Sequence, residues 1–151
     1  MPVRLDHFEI APEGMDALRQ VYDYAAHSGF DPELLDLVYL RVSQLNNCIP
    51  CADVHFRALQ QRGVGLVKLL QVALWRDAGT LFGAGERAAL AWAEAVTDIA
   101  DTHVPEADYE AARTVFSEKE LADLTIAIGA INVYNRLAIS FRSTPALAAV
   151  H

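Results

Sequence analysis

The sequence lacks the features that mark several large protein classes. It has no glycine-rich phosphate loop and no internal repeat, and no stretch shows the apolar–polar alternation typical of a β-strand. Basic residues are also scarce, with 12 Lys and Arg against 20 Asp and Glu, a formal net charge of −8. Because nucleic acids and anionic membranes are bound through basic patches, we expect neither as a partner.

Long apolar runs are missing as well. No run approaches the roughly 18 apolar residues that a transmembrane helix needs. The opening residues, MPVRLDH, contain no apolar core of a secretory signal. We therefore expect a cytoplasmic protein. In that setting the only two cysteines of the chain favour catalysis or metal binding over a structural bridge.

What remains is the pattern of a helical domain. The length of 151 residues suits one domain over residues 1–151, and the apolar residues recur at helical spacing. Asp31-Pro32 and the capping box from Ser117 to Glu120 mark two helix starts. The prediction is an all-α fold of about six to seven helices, with residues 1–13 extended and one helix over residues 66–76. A hydrophobic content of 53% leaves apolar surface for subunit contacts.

Both cysteines lie in one short stretch, Cys48-Ile49-Pro50-Cys51, and His55 follows four residues later. Proline is well tolerated in the first turn of a helix, so the pair lies at or near a helix start. Residues i, i+3 and i+4 are neighbours on a helix, which places Cys48, Cys51 and His55 on one face. A helix start stabilises a thiolate, and a nearby imidazole can exchange its proton. This arrangement predicts a redox-active dithiol.

Three other interpretations of the cysteine pair remain open at this point. Free cysteines are often small buried core residues. Cys48, Cys51 and His55 supply three of the four ligands that a structural zinc site needs. A permanent disulfide is also conceivable, although a link from i to i+3 closes too small a loop to stabilise the fold much.

The residues around the pair resemble a known family. Residues 36–55 read DLVYLRVSQLNNCIPCADVH, close to the pattern E-L-V-x-L-R-x-S-Q-x-N-G-C-x-x-C-x-x-x-H of AhpD-like alkylhydroperoxidases in the carboxymuconolactone decarboxylase superfamily. Residues 131–137, INVYNRL, are similar to the family's I-N-x-[WY]-N-R segment. The resemblance extends from about residue 15 to residue 145.

The resemblance implies roles for four residues. Cys51 would attack the peroxide, Cys48 would form a disulfide with it, and His55 and Asp36 would form a proton relay. Asp36 stands where the family has glutamate, so its shorter side chain implies a longer, water-bridged or weakened relay. Asn47 stands where the family has glycine, and asparagine tolerates the left-handed conformation. Helix electrostatics alone would instead favour attack by Cys48.

The implied activity is reduction of alkyl hydroperoxides, or of a partner's disulfide, through a dithiol cycle without a cofactor or a metal. An external dithiol donor of lipoyl or thioredoxin type would restore the thiols. A homo-oligomer is implied, with a hexamer favoured over a trimer. The alternatives are a non-redox decarboxylase-like enzyme acting on a lactone acid and a binding or assembly protein that keeps the fold.

Other polar residues in the similar segments have structural interpretations. We expect Arg41 to form a solvated or intersubunit ion pair. Asn132, Asn135 and Arg136 lie on an otherwise apolar helix, where a subunit interface or loop carbonyls would satisfy them.

Overall fold

A computed structural model of the protein describes residues 1–145. Within that range the secondary structure consists of nine α-helices and one 3₁₀ segment, Val72–Asp77, with no strand. The all-α prediction is confirmed. The number of helices exceeds six to seven because three of them are only four or five residues long: His7–Ile10, Leu66–Leu70 and Ile99–Thr102. The predicted domain also includes residues 146–151, which lie outside the described residues. The helices are α1 His7–Ile10, α2 Pro12–Ala26, α3 Pro32–Leu45, α4 Ile49–Gln61, α5 Leu66–Leu70, α6 Ala84–Thr97, α7 Ile99–Thr102, α8 Glu106–Arg113 and α9 Glu118–Phe141.

The predicted helix starts are present. The Asp31 side chain accepts a hydrogen bond from the backbone N–H of Glu33 at 3.0 Å, and Pro32 is the first residue of α3. Ser117 and Glu120 form the reciprocal capping box at the start of α9. These side chains satisfy N–H groups that the first helical turn leaves without partners.

The prediction that residues 1–13 are extended is wrong. The Asp6 carboxylate accepts hydrogen bonds from the N–H groups of Phe8 and Glu9 at 2.9 and 3.4 Å, which caps α1. Pro12 then opens α2. The beginning of this N-terminal segment is bonded to the last helix, since the Arg4 N–H donates to the carbonyl of Phe141 at 2.9 Å.

The single helix expected over residues 66–76 is interrupted. Gln71 leaves helical geometry after α5, and Leu74 is non-helical within the 3₁₀ segment. The break lets the Trp75 ring enter the core while its indole N–H reaches a carboxylate of α6. A continuous α-helix would orient that side chain differently, so tertiary packing overrides the local pattern.

Helix α3 is the centre of the fold. It packs against α4 and α6 over most of its length and against α9. Two apolar clusters flank it, one with α6 and α9 around Trp92 and the other with α4 and α6 around Trp75. Both tryptophans are buried. Because α3 ends next to the cysteines, this packing fixes the position of the candidate site.

One helix in the described residues, α9, is long and apolar enough to cross a membrane by length and composition alone. The core helix of a soluble protein passes the same test, and α9 contributes Leu124, Ile128 and Ile131 to the core. Packing in the core therefore accounts for part of the hydropathy of α9.

Candidate active site

The turn between α3 and α4 positions the cysteines. The N–H of Cys48 donates to the carbonyl of Ser43 at 2.8 Å, and the N–H of Asn47 donates to the carbonyl of Gln44 at 3.1 Å. This pair of bonds is the Schellman ending of a helix, which requires a left-handed residue between them. Asn47 has a φ of 55° and fills that position. Asparagine thus replaces the family's glycine without loss of the turn, as expected.

Cys48 and Cys51 form a disulfide at the start of α4, with their Cα atoms 5.4 Å apart. Cys48 is the N-cap residue, and Pro50 lies in the first turn. The two sulfurs differ in accessibility, because Cys48 is only 1% exposed whereas Cys51 is partly exposed and lines a cavity. An incoming molecule therefore reaches Cys51 and not Cys48.

His55 lies one turn beyond Cys51 on α4 and lines the same cavity. Its Nδ1 is 3.0 Å from Oδ1 of Asp36, which projects from α3. An ionised carboxylate only accepts hydrogen bonds, so beside an ionised Asp36 a neutral His55 has its proton on Nδ1 and its lone pair on Nε2. This assignment leaves His55 able to act as a base. The direct contact also corrects the expectation of a lengthened or water-bridged relay.

Arg62, at the end of α4, was not predicted from the sequence. Its Nε donates to Oδ2 of Asp36 at 3.1 Å. Asp36 is 6% exposed and His55 is 5% exposed, so the carboxylate would be costly to bury without a compensating charge. Arg62 supplies that charge and occupies the second oxygen, which directs the first toward His55. The only sequence signal was its spacing of seven residues from His55, two turns along the same face.

Tyr39 adjoins the imidazole of His55, and Tyr22 stacks on Tyr39. The Tyr39 ring lies 5.0 Å from the His55 ring and 5.1 Å from the Tyr22 ring. Burial raises the pKa of Tyr22 to about 12, and it raises the pKa of Tyr39 further. Both phenols therefore stay protonated at neutral pH, which leaves the imidazole of His55 as the candidate base next to the cysteines.

The cavity in front of Cys51 has a volume of about 560 Å³. Its described lining contains no Lys, Arg, Asp or Glu. Side chains from α1, α2, α4 and α9 contribute, so residues of four helices meet at the Cys51 side chain. The main apolar and aromatic contributors are Phe8, Tyr22, Pro50, Val54, Ile131 and Tyr134. Such a lining favours an uncharged, predominantly apolar ligand.

Comparison with known proteins identifies the family. The model of the carboxymuconolactone decarboxylase family matches residues 12–95, more than half of the chain. The chain belongs to the carboxymuconolactone decarboxylase family.

Two bacterial proteins are similar to this chain in sequence. The chain is 31% identical over 140 residues to the uncharacterized protein YdfG of Bacillus subtilis, covering 93% of this chain and 95% of YdfG. It is 35% identical over 109 residues to the uncharacterized protein YnjA of Escherichia coli, covering 72% of this chain and 59% of YnjA.

Among solved structures, a protein of unknown function from Agrobacterium tumefaciens, suggested to be the antioxidant defence protein AhpD, is similar over nearly its whole length. The TM-score is 0.92 at 34% identity, covering 97% of this chain and 99% of that one. The chain is accordingly an AhpD-like member of the carboxymuconolactone decarboxylase superfamily.

Residues 131–137 of α9, the second segment that resembles the family, support the turn that precedes Cys48. The Asn46 amide at the end of α3 donates to the side-chain oxygens of both Asn132 and Asn135 at 2.9 Å. Asn135 in turn donates to Ser43 Oγ at 3.1 Å, and Arg136 donates to Asn132. Within residues 1–145 the hydrogen-bond partners of these residues are side chains and helix carbonyls of the same chain, not the expected loop carbonyls. The network fastens the turn before Cys48 to α9.

Because Asn135 is fully buried, replacing it should destabilise the fold. Asn135→Leu keeps the approximate volume but leaves buried Ser43 without its partner. We expect a loss of about 1–3 kcal/mol, measured as a lower midpoint of thermal unfolding. Gln20→Ala, which removes an exposed hydrogen bond to Asp16, is the control and should change stability by less than about 0.5 kcal/mol. Equal stability of Asn135→Leu and the wild type would refute the structural role.

Arg41, the other polar residue of the first segment, is paired within the chain. Its Nε donates to Glu94 Oε1 at 2.8 Å, so the expected ion pair is present, but it lies within the chain and is largely buried. Burial raises the pKa of Glu94, but hydrogen bonds from Trp75, Arg76 and Arg41 outweigh it and hold the pKa below its usual value. Arg41 therefore joins α3 to α6 and lies outside the cavity.

Metal binding has no support in the described residues. No group of three or more His, Cys, Asp or Glu side chains among residues 1–145 is arranged to hold a metal ion. Cys48 and Cys51 are bonded to each other, and His55 is hydrogen-bonded to Asp36. The zinc interpretation of the cysteine stretch is thus less well supported than the redox interpretation.

Proposed function

We propose that the protein is a thiol-dependent peroxidase that reduces alkyl hydroperoxides through the Cys48–Cys51 pair. The observation that carries the proposal is the placement of Cys51 and His55 in one apolar cavity, with the imidazole held by Asp36. A bonded pair of cysteines at a helix start supports a dithiol that cycles between two oxidation states. Membership of an AhpD-like family is consistent with this chemistry.

In the proposed cycle Cys51 is the attacking thiol. Its greater exposure supports this assignment over the assignment to Cys48 that helix electrostatics alone suggested. His55 Nε2 accepts the Cys51 proton, and the thiolate attacks the terminal oxygen of the hydroperoxide. The O–O bond breaks, Cys51 becomes a sulfenic acid, and the leaving alkoxide takes the proton from His55 to give an alcohol.

Cys48 completes the oxidative half. Its thiol condenses with the sulfenic acid of Cys51 to form the disulfide and release water. The proposed donor, a lipoyl or thioredoxin-type dithiol, attacks the accessible Cys51 sulfur and expels Cys48 as a thiolate. The second thiol of the donor then displaces Cys51 from the mixed disulfide, which leaves both cysteines reduced and the donor as a disulfide. The Cys48 thiolate is at the N-cap, where a side chain accepts from the N–H of the second or third helical residue. The second residue, Pro50, has no N–H, so the Cys51 N–H is the donor available to this thiolate. The cycle requires reduced donors, which is consistent with the proposed cytoplasmic location.

The non-redox alternative is less well supported by the cavity. A decarboxylase-like enzyme must hold the carboxylate of a lactone acid, which usually requires a cation. No Lys or Arg is found in the described lining. A binding or assembly role would not require Cys51 and His55 to face a common cavity.

Steady-state turnover of cumene hydroperoxide tests the proposal. The reduced protein is assayed with dihydrolipoamide or with a thioredoxin system, and consumption of the peroxide is followed. We expect turnover with at least one donor. The absence of turnover with every donor, together with no oxidation of the protein by the peroxide, would reject the function.

We also propose that the protein assembles as a homo-oligomer, a hexamer rather than a trimer. Leu66, Val67 and Leu70 of α5 and Leu74 of the 3₁₀ segment are all more than half exposed, which gives a contiguous stretch of apolar surface. Multi-angle light scattering should give a mass near six times 16.6 kDa. Leu70→Glu should reduce that mass, whereas Glu110→Lys on α8 should not. A monomer at micromolar concentration would contradict the assembly.

A further inference from the structure

A second cavity lies next to the one that contains Cys51. It has a volume of about 420 Å³ and lies between the N-terminal segment, α2 and the C-terminal half of α9. Its lining is apolar apart from His7, with Ile10, Met15, Leu18, Leu137 and Phe141 among the contributors. His7 lines both cavities, so its imidazole is their common wall.

His7 is unusual for a buried histidine. It is 7% exposed, and its Nδ1 is buried without a hydrogen-bond partner. No hydrogen bond to the ring is found among residues 1–145. Ring contacts with Phe8 at 4.5 Å and Phe141 at 5.8 Å are what hold it in place. Rotation of the imidazole therefore breaks no hydrogen bond, and only packing opposes it.

We propose that the two cavities form one channel for the alkyl tail of a long-chain hydroperoxide, with His7 as a movable partition. This inference rests on the proposed peroxidase function. With the peroxide group at Cys51, a tail extends past His7 toward Met15 and Leu18. The described linings contain no Lys, Arg, Asp or Glu, which suits an uncharged alkyl chain. Because His7 lines both cavities, the second cavity adjoins the place where a tail would lie when its peroxide group is at Cys51. We therefore assign the second cavity to that tail rather than to another copy of the chain.

The channel predicts how activity depends on chain length. Each methylene that leaves water for an apolar site should raise kcat/KM by about three- to fourfold. For unbranched primary hydroperoxides, kcat/KM should therefore rise from butyl to decyl. A site confined to the vicinity of Cys51 would stop responding once the first cavity is filled.

Gly14 offers a way to fill the second cavity alone. It lines that cavity, and a Cβ built on it meets no atom within 4 Å. Gly14→Leu should lower the ratio of kcat/KM for decyl over butyl hydroperoxide at least tenfold. Ala11→Leu on the same wall should act in the same direction, and His7→Ala, which removes the partition, should raise the ratio. Gly129→Leu is the matched control, since Gly129 is equally open but lines neither cavity, and it should leave the ratio unchanged.

Binding of the product alcohols separates this inference from the proposed function. Titration calorimetry of the oxidised protein should show tighter binding of 1-decanol than of 1-butanol, with the preference reduced in Gly14→Leu. That result without any peroxide turnover would reject the peroxidase and keep the channel. Three results would each overturn the channel. They are an unchanged decyl-to-butyl ratio in Gly14→Leu, no binding of 1-decanol, and a change of oligomeric mass in Gly14→Leu in place of a changed ratio.

Discussion

Cys51→Ser is expected to abolish peroxide reduction, with a loss of roughly 10³-fold or more, because it removes the proposed nucleophile. The remaining thiol, Cys48, is almost completely buried and cannot replace it. The measurement is the rate of cumene hydroperoxide consumption with an excess of donor, alongside labelling of sulfenic acid by dimedone.

Cys48→Ser is the matched variant, with the same substitution three residues away. It should still reduce one equivalent of peroxide and then accumulate a dimedone-reactive sulfenic acid on Cys51, since no thiol is available to condense with it. Cys51→Ser should give no such adduct. The reverse pattern, with an adduct on Cys48, would transfer the attacking role to the buried cysteine.

His55→Gln is expected to slow peroxide reduction by Cys51 at pH 7 by roughly 10²–10⁴-fold, the usual contribution of a positioned base. Glutamine fills similar space and can still hydrogen-bond to Asp36, but it cannot accept the thiol proton. Alkylation of the reduced protein by iodoacetamide, followed from pH 5 to 9, isolates proton removal from peroxide chemistry. The midpoint of that profile should move to higher pH in the variant.

Asp36→Asn should act in the same direction with a smaller effect, because the imidazole remains. Arg62 directs the amide oxygen toward itself, so the amide NH₂ faces His55 Nδ1 and favours the unproductive tautomer. Asp36→Glu restores the family residue, and we expect it to keep or raise activity. An iodoacetamide profile of His55→Gln identical to that of the wild type would remove His55 from the catalytic residues and place it in the core.

Local signals in the sequence predicted much of this site. The i, i+3 and i+7 spacing placed Cys48, Cys51 and His55 on one face of a helix, and the capping residues located the start of α3. Asn47 was assigned to a left-handed turn because few other residues tolerate that conformation. Each of these features depends on residues close together in the chain.

The parts that were missed depend on contacts across the chain. Arg62 reaches Asp36 only because α3 and α4 pack side by side. His7 joins the cavity because Asp6 caps a one-turn helix and Arg4 is bonded to the end of α9. The break before Trp75 likewise reflects the position of Glu94 on another helix. No periodicity within a single segment contains that information.

The Asp36 contact shows where packing corrects an expectation drawn from the family pattern. The resemblance suggested that a side chain one methylene shorter would lengthen the relay. Close packing of α3 on α4 brings Oδ1 within 3.0 Å of the imidazole, so the shorter side chain still makes the contact. The pair is buried and has a countercharge, which are the conditions for a well-oriented base.

A single-turnover measurement tests the central claim most directly, because it needs no electron donor. Fully reduced protein is mixed without oxygen with one equivalent of cumene hydroperoxide, and the alcohol, the free thiols and the mass of the protein are determined. The account predicts one cumyl alcohol formed and two thiols lost per chain, with a mass lower by two hydrogens and a disulfide between Cys48 and Cys51. Retention of both thiols with the peroxide intact would contradict it.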